Sequence, residues 1–448
     1  MIFEKEKTIT HHIYDWYNNR KQQKKIGQMH SDAHETNYQR RAVFALPHVN
    51  KCQLLLTSVD STNTDNDIYE WQPASPTPAI DFIWGENHNA DSIVVSGGKP
   101  EERVRALMPF VNKSQKENIP VFVLHANNRS LENMIKSNSN YHEFISLGGM
   151  YYDAFRSLPV EDMAYLLYES IPEDDSSPSA EALLRAILEV LLRNEGKATF
   201  HNIASFPSAK LVDELNRLLS TGEVSMDEFN DISRDYMSGS SEIDAVRSFL
   251  NKLNRQAESI FGKPTANICN IKKVINSKGV IAFDVGPSNN ELIMNFIINQ
   301  IIHLQQAGKD LNILIDGIAL SRHPKICELI RGRVFALSNS DFISSLYGGE
   351  RNGDDIFNEV TGDITTLVLL NHKSGTSCKK WSEHLGKYNK IRIKLNISQN
   401  KSWSVNSNTE GISVDEAEEP RIRAETIAML PNSLACIHNR NGTLIAEV

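Results

Sequence analysis

The sequence predicts an α/β fold: a parallel sheet sandwiched by helices and interrupted by an all-α insertion domain. Three observations predict it. Short apolar runs, among them Ser92–Ile93–Val94–Val95–Ser96, Gly279–Val280–Ile281–Ala282–Phe283–Asp284 and Leu311–Asn312–Ile313–Leu314–Ile315–Asp316, alternate with segments of helical spacing. The runs are continuous, not alternating polar and apolar, as strands buried on both faces must be. Between two blocks of such strands, residues 160–261 keep only helical periodicity, as in Ala182–Leu183–Leu184–Arg185–Ala186–Ile187–Leu188–Glu189–Val190–Leu191–Leu192.

The chain opens with Ile9, Ile13, Trp16 and Tyr17 at helical spacing. A basic segment follows, with Arg20, Lys21, Lys24, Lys25, Arg40 and Arg41. Residues 59–90 are rich in Asp, Asn, Ser, Thr and Pro and read as irregular chain, so 1–85 is a helix plus an irregular region. The first part of the core spans 86–159. Its strand 92–96 meets a Gly97–Gly98 turn, and Pro100–Glu101–Glu102 opens a helix with proline and acids where a first turn favours them. Pro120–Val121–Phe122–Val123–Leu124 and Phe144–Ile145–Ser146–Leu147 are the next strands. The all-α segment 160–261 follows, and the second part of the core runs from 262 to 400.

In that second part Ser288-x-x-Glu291 signals a capping box. The helix behind it, Leu292 to Leu304, is apolar on nearly every side and should lie buried between the sheet and another element. Strand 311–316, a helix over Pro324–Ile330, and strands Arg333–Leu337 and Thr365–Leu370 complete the alternation. Residues 401–419 read as a polar loop with Asp415, Glu416, Glu418 and Glu419. The remainder of 401–448 reads as short strands that finish the core, joined at an Asn439–Arg440–Asn441–Gly442 hairpin turn.

Composition narrows the function classes. At 448 residues the chain is long enough for two or three domains, and 40% apolar with 23% charged residues is ordinary for a globular protein. No run of about 18 apolar residues exists, so no membrane span is expected. The first residues lack a signal-peptide core, and a cytoplasmic location is expected. The five cysteines lie far apart and read as reduced thiols. His30 and His34 could share a helix face, but without a third ligand nearby they read as surface histidines, and no metal site is expected. The net charge of −9 is mild but unevenly spread. Residues 160–250 hold 18 acids against seven Lys plus Arg, a difference of −11. Such a helical surface repels nucleic acid and suits a basic protein partner, or is simply solvated.

Chemistry is written most clearly at Leu311–Asp316. An apolar strand ending in a lone aspartate is how an ATPase of the RecA type holds the water around its magnesium, and a glutamate usually follows to polarise the attacking water. Here the next residue is Gly317. A phosphate loop needs glycines so that backbone N–H groups face phosphates, a lysine for the β and γ oxygens, and a hydroxyl for the metal. The chain offers Ser96–Gly97–Gly98–Lys99–Pro100, so Gly98 and Lys99 fit the final Gly-Lys. Ile93 stands where the first glycine should, and Pro100 where the hydroxyl should.

The ordered series of segments resembles the TraG/TraD-type coupling proteins of conjugation and type IV secretion, within the FtsK/HerA group of RecA-like motors. Leu314–Gly317 and the helix running to Leu329–Gly332 are similar to the family's Walker B strand and the helix behind it. Arg333–Ser340 resembles the strand that normally ends in a sensor Gln-Ser, with Asn339 in place of the glutamine. Phe342–Leu346 with Tyr347–Gly348, Asp355–Asn358, Thr376–Gly386, and Arg421–Ile427 with Leu430–Pro431 follow in the family's order. The likeness covers roughly residues 86–448. It implies a RecA-like, P-loop-NTPase-type sheet, with the acidic helices where the family keeps its all-α domain. It further implies a ring of homologous or mixed subunits, to which Arg421 and Arg423 would contribute arginines between subunits.

The departures define the expectation. Gly97, Gly98, Lys99, Asp316 and Asn339 read as a vestigial nucleotide site with no catalytic residue, so no cofactor is expected. ATP with Mg2+ is the alternative. Loss of the catalytic partners should remove several kcal/mol of transition-state stabilisation, at ~1.4 kcal/mol per decade of rate. The favoured function is a coupling-protein-like pseudo-ATPase that binds a protein partner on its acidic insert. The alternative is a divergent active ATPase that drives DNA or protein transfer. Residues 372–403 add a candidate nucleic-acid surface, with eight basic residues against Glu383 alone. Lys379, Lys380, Lys387, Lys390, Arg392 and Lys394 could release counterions from phosphates, and Trp381 could stack on a base. A solvated strand and helix face is the plainer reading of the same residues.

Overall fold

The computed structural model describes residues 2–45, 72–73, 92–146, 149–172, 177–264, 267–286, 290–323, 325–349, 351–402, 405–432, 434–439 and 442–447, with side chains left out for 2–15, 38, 44–45, 72–73, 394–412 and 447. Ser288 and the Arg440–Asn441 tip of the last hairpin lie outside the described residues. The chain forms two compact units, Met1–His88 with Val368–Val448, and Asn89–Leu367. Strands are numbered in chain order. The first unit contributes β1 (Val43–Ala45) and β2 (Gln72–Pro73). The second contributes β3 (Ile93–Ser96), β4 (Val121–His125), β5 (His142–Ile145), β6 (Tyr151–Tyr152), β7 (Ile268–Cys269), β8 (Val280–Asp284), β9 (Asn312–Asp316) and β10 (Phe335–Asn339). β11 (Thr366–Leu369) contains the boundary, and the first unit resumes with β12 (Lys387–Ser402), β13 (Val405–Pro420), β14 (Leu434–Asn439) and β15 (Gly442–Glu447).

In the second unit six strands pair in parallel in the order β3-β10-β9-β4-β8-β5. Every residue of β3, β4 and β9 is buried, the outcome that their unbroken apolar runs require. Because the strands are parallel, their carboxyl ends share one edge. The register there sets Asn339 opposite Ser96, Ser338 opposite Asp316, and His125 opposite both Asp316 and Asp284.

The helix Pro100–Lys116 begins with proline and two glutamates and ends with Lys113 and Lys116, matching the helix dipole at both ends. Its sheet-facing side is Val104, Leu107, Phe110 and Val111, and it also buries Arg103. The helix Glu291–Gln306 buries residues on nearly all sides, from Leu292 to Ile301, and ends before Gly308 at φ +74°. Six α-helices, from Val160–Tyr168 to Ile243–Phe261, form the helical segment. Gly239 allows two of them to touch: a Cβ there would lie 2.4 Å from the Ser179 carbonyl oxygen and 2.5 Å from Leu183 Cβ. Aromatic rings connect these helices to the sheet: Phe261, on the last of them, sits edge-on 6.2 Å from Phe283 of β8, and Phe200 sits edge-on 5.0 Å from Phe296 of the helix Glu291–Gln306.

In the first unit a 40-residue helix, Ile2–Arg41, runs through the stretch read as a helix and basic segment. β1 pairs in parallel with β15, and β14 with β15 antiparallel. β12 and β13 form a hairpin 16 residues long on each side. This corrects the reading of 401–419 as a loop. β13 pairs with one strand only and carries Asp415, Glu416, Glu418 and Glu419, so its sequence holds no apolar run from which a strand could be recognised.

Candidate functional site

The edge formed by β3, β10, β9, β4 and β8 collects most of the residues singled out from sequence. Gly97 and Gly98 make the turn after β3 at φ +91° and +69°, conformations that favour glycine. Lys99 is the N-cap residue of the helix Pro100–Lys116 and its side chain is exposed. Two of the turn's donors are already engaged. Gly97 N–H donates to the Asn339 carbonyl at 3.0 Å, and Lys99 N–H donates to a Glu102 carboxylate oxygen at 2.8 Å. The Asn339 side chain turns away from the turn, donating to the Ile318 carbonyl at 3.2 Å and accepting from Asp341 N–H.

Asp316 is 1% exposed, and two side chains hold it that the sequence reading did not single out. Arg103 Nε donates to Oδ1 at 3.1 Å, and Asn128 Nδ2 donates to Oδ2 at 2.7 Å. The second arm of Arg103, Nη1, donates to the Gly98 carbonyl at 3.1 Å. One buried guanidinium therefore ties the glycine turn to the aspartate. A signal for Arg103 existed: it shares helical spacing with Leu107 and Phe110, which places a charge on the buried stripe of its helix. Asn128 is also the N-cap of the helix Arg129–Asn138, accepting from Leu131 N–H. Gly317 follows at φ +74°, so the position expected to hold a glutamate has a backbone that side-chain-bearing residues rarely adopt.

His125, fully buried at the end of β4, accepts from Asn128 N–H through Nδ1 at 3.2 Å. Burial lowers its pKa, opposed by the nearby Asp284, Glu132 and Asp316 carboxylates. His323 is pushed down to about 4, again by burial first and by Arg322 second.

As placed, the groups that would meet a magnesium and a phosphate are engaged within the protein. The aspartate's metal-facing oxygens hold a guanidinium and an amide, and donors of the turn are bound to the protein itself. A magnesium shell on Asp316 would first have to displace Arg103.

The remaining candidates lie in the first unit. Lys387 pairs with Glu418 at 2.9 Å, and Lys390 with Glu419 at 3.6 Å. Arg392 and Arg423 also pair with Glu419, and Arg421 donates to the Arg41 carbonyl at 2.7 Å. Lys379 is exposed, Lys380 is half-buried, and the Lys394 side chain lies outside the described residues. Trp381 is fully buried in the helix Gly375–His384, so it has no face to offer a base. Its aromatic signal reflected core packing, which removes it from the nucleic-acid set.

No protein-family model and no curated protein matches the sequence. Solved structures do. The bacterial conjugative coupling protein TrwBΔN70, in an unbound monoclinic form, superposes with a TM-score of 0.52 at 11% identity, over 81% of this chain and 86% of that one. The chain has the coupling-protein fold. TrwB in complex with the non-hydrolysable ATP analogue ADPNP gives a TM-score of 0.50 at 13% identity, covering 80% of this chain and 85% of that one. The RecA-like sheet with flanking helices expected from sequence is thus found. The second of these structures also corrects an expectation. The TrwB of that complex carries a nucleotide analogue on the same fold, so the absence of a cofactor does not follow from this architecture. No helix among the described residues is long and apolar enough to cross a membrane.

Proposed function

We propose that the chain is a coupling-protein-like subunit of a conjugation or type IV secretion machinery, located in the cytoplasm, that binds a protein partner and does not turn over ATP. One observation carries the reading: the aspartate that would organise magnesium is bound to Arg103 inside the protein. Hydrolysis on a P-loop fold is almost entirely positioning and electrostatic stabilisation around the metal and the attacking water. Here the metal's counter-charge is committed to Arg103, and no glutamate follows it at 317. Any nucleotide on this edge would be held without help from the Lys99 amide, which Glu102 occupies. The helical segment with its excess of acids is the surface offered to a basic partner. An intact motor subunit in a mixed ring would supply the energy.

The alternative, a divergent active ATPase, draws on the ADPNP-bound TrwB of the same fold. Turnover assays on purified protein with and without DNA separate the two. The proposed function predicts no ATP hydrolysis above background and no effect of Asp316→Ala. DNA-stimulated hydrolysis that disappears in Asp316→Ala and Lys99→Ala would overturn it.

A further inference from the structure

A second group of side chains on the same sheet edge is not used by the Arg103–Asp316 pair. His125 ends β4 and Asp284 ends β8, paired in register, and Glu132 leans back to them from the first turn of the helix Arg129–Asn138. One ligand atom from each of the three lies within 4.8 Å of the others. His125 is fully buried, yet its Nε2 has no hydrogen-bond partner. The nearest carboxylate oxygen, Glu132 Oε1, is 3.6 Å away, too far for a hydrogen bond. Asp284 is held in place: its Oδ1 accepts from Asn127 N–H at 2.9 Å and from Gly286 N–H at 3.0 Å.

The charges do not balance. Neither Glu132 nor Asp284 is paired with a lysine or arginine among the described residues, and the nearby Arg103 is committed to Asp316. His125 Nδ1 accepts from Asn128 N–H, so the ring as placed is neutral and adds no positive charge. Two carboxylates and an unpartnered imidazole nitrogen therefore converge on one point, with no lysine or arginine paired to them among the described residues. A divalent ion would neutralise both carboxylates and ligate Nε2 once the ring proton has moved from Nε2 to Nδ1.

We propose that His125, Glu132 and Asp284 bind a divalent transition-metal ion of the zinc class. One imidazole and two carboxylates suit zinc and its neighbours better than magnesium, which prefers oxygen alone. Three protein ligands leave at least one position open, as in reactive zinc sites. Binding has a structural consequence. Asn128 N–H donates to His125 Nδ1, so the neutral ring carries its proton on Nε2. A metal on Nε2 moves that proton to Nδ1 and breaks the contact with Asn128, whose side chain also holds Asp316.

Cobalt(II) titration of the full-length chain, followed by its visible d–d absorption, tests this. The expected result is one tight equivalent, displaced by Zn2+. Glu132→Gln and Asp284→Asn should each weaken binding by at least about tenfold with the circular-dichroism spectrum unchanged. The double variant His30→Gln/His34→Gln should bind as the parent does, excluding the i,i+4 pair on the long helix. Imidazole nitrogen shifts in NMR should report the change of tautomer at one histidine. A parent protein that gives no cobalt spectrum at millimolar metal overturns the proposal without any variant. So does a spectrum that survives Glu132→Gln and disappears with the His30/His34 pair.

Discussion

Arg103 and Asp316 form an ion pair 3.1 Å long, with side chains 6% and 1% exposed, between the first turn of the helix Pro100–Lys116 and the end of β9. A buried pair of this kind costs much of its own Coulomb energy in desolvation, but an orphaned member costs more. Arg103→Met should therefore destabilise the second unit by about 3–5 kcal/mol, because Asp316 retains only the Asn128 amide. Arg103→Met/Asp316→Leu should recover most of that loss. Urea unfolding of the two single variants and the double variant measures the coupling. Additive effects would show that the two side chains do not act as a unit.

Gly317 marks the second departure from a working site, and its backbone explains why one substitution cannot repair it. At φ +74° a β-carbon is strained by about 1–2 kcal/mol even though its nearest contact, Ala126 Cβ at 3.6 Å, is an ordinary one. Gly317→Glu should lower the melting temperature and leave ATP turnover at background. Gly317→Asn should lower it less, since asparagine tolerates the left-handed region. Turnover appearing in Gly317→Glu would mean that the missing carboxylate alone had silenced the site.

The sheet was readable because parallel strands buried on both faces leave unbroken runs such as Ile93–Val95 and Ile313–Ile315. The site was readable only in part. Gly97, Gly98, Lys99 and Asp316 stand at positions that strand-and-turn patterns identify. Arg103 and Asn128 reach Asp316 by folding, from 213 and 188 residues away in sequence, and no local pattern encodes that meeting. Trp381 misled for the converse reason: lysines beside it suggested a surface, while the ring itself packs inside. The basic run of β12 was legible as charge but not as pairing, since its acidic complement, Glu416 to Glu419, comes from β13 on the other side of the hairpin.

His323 gives the second unit an acid-sensitive stability. Its folded pKa is pushed from 6.5 down to about 4 by burial, helped by Arg322. Between those values the unfolded chain binds a proton that the folded chain excludes, so stability falls as pH drops from 6.5 towards 4 and is fully present above 6.5. Each pH unit in that window costs about 1.4 kcal/mol per such group. Denaturation midpoints recorded from pH 7 to pH 4 should decline less steeply in His323→Gln than in the parent. Parallel slopes in the two proteins would assign the acid sensitivity to other groups, His125 first among them.

In the first unit, the end of the long helix is joined to the hairpin by a side chain that imitates a strand. Asn37 Nδ2 donates to the Ile391 carbonyl at 2.9 Å while its Oδ1 accepts from Ile391 N–H at 2.7 Å. One amide thus satisfies both backbone groups of an outward-facing residue on β12, as a neighbouring strand would. Arg40 and Arg41 extend the joint, to the Asn389 carbonyl at 3.0 Å and the Arg421 carbonyl at 2.8 Å. Asn37→Leu keeps the bulk but leaves both groups of Ile391 without protein partners, at a cost of about 1–3 kcal/mol if water cannot reach them. Amide hydrogen exchange reads the outcome directly. The Ile391 amide should lose its protection in Asn37→Leu, while the β14–β15 amides of the same unit stay protected. Retained protection at Ile391 would mean that the ribbon holds its place without the helix, and the contact would then be packing alone.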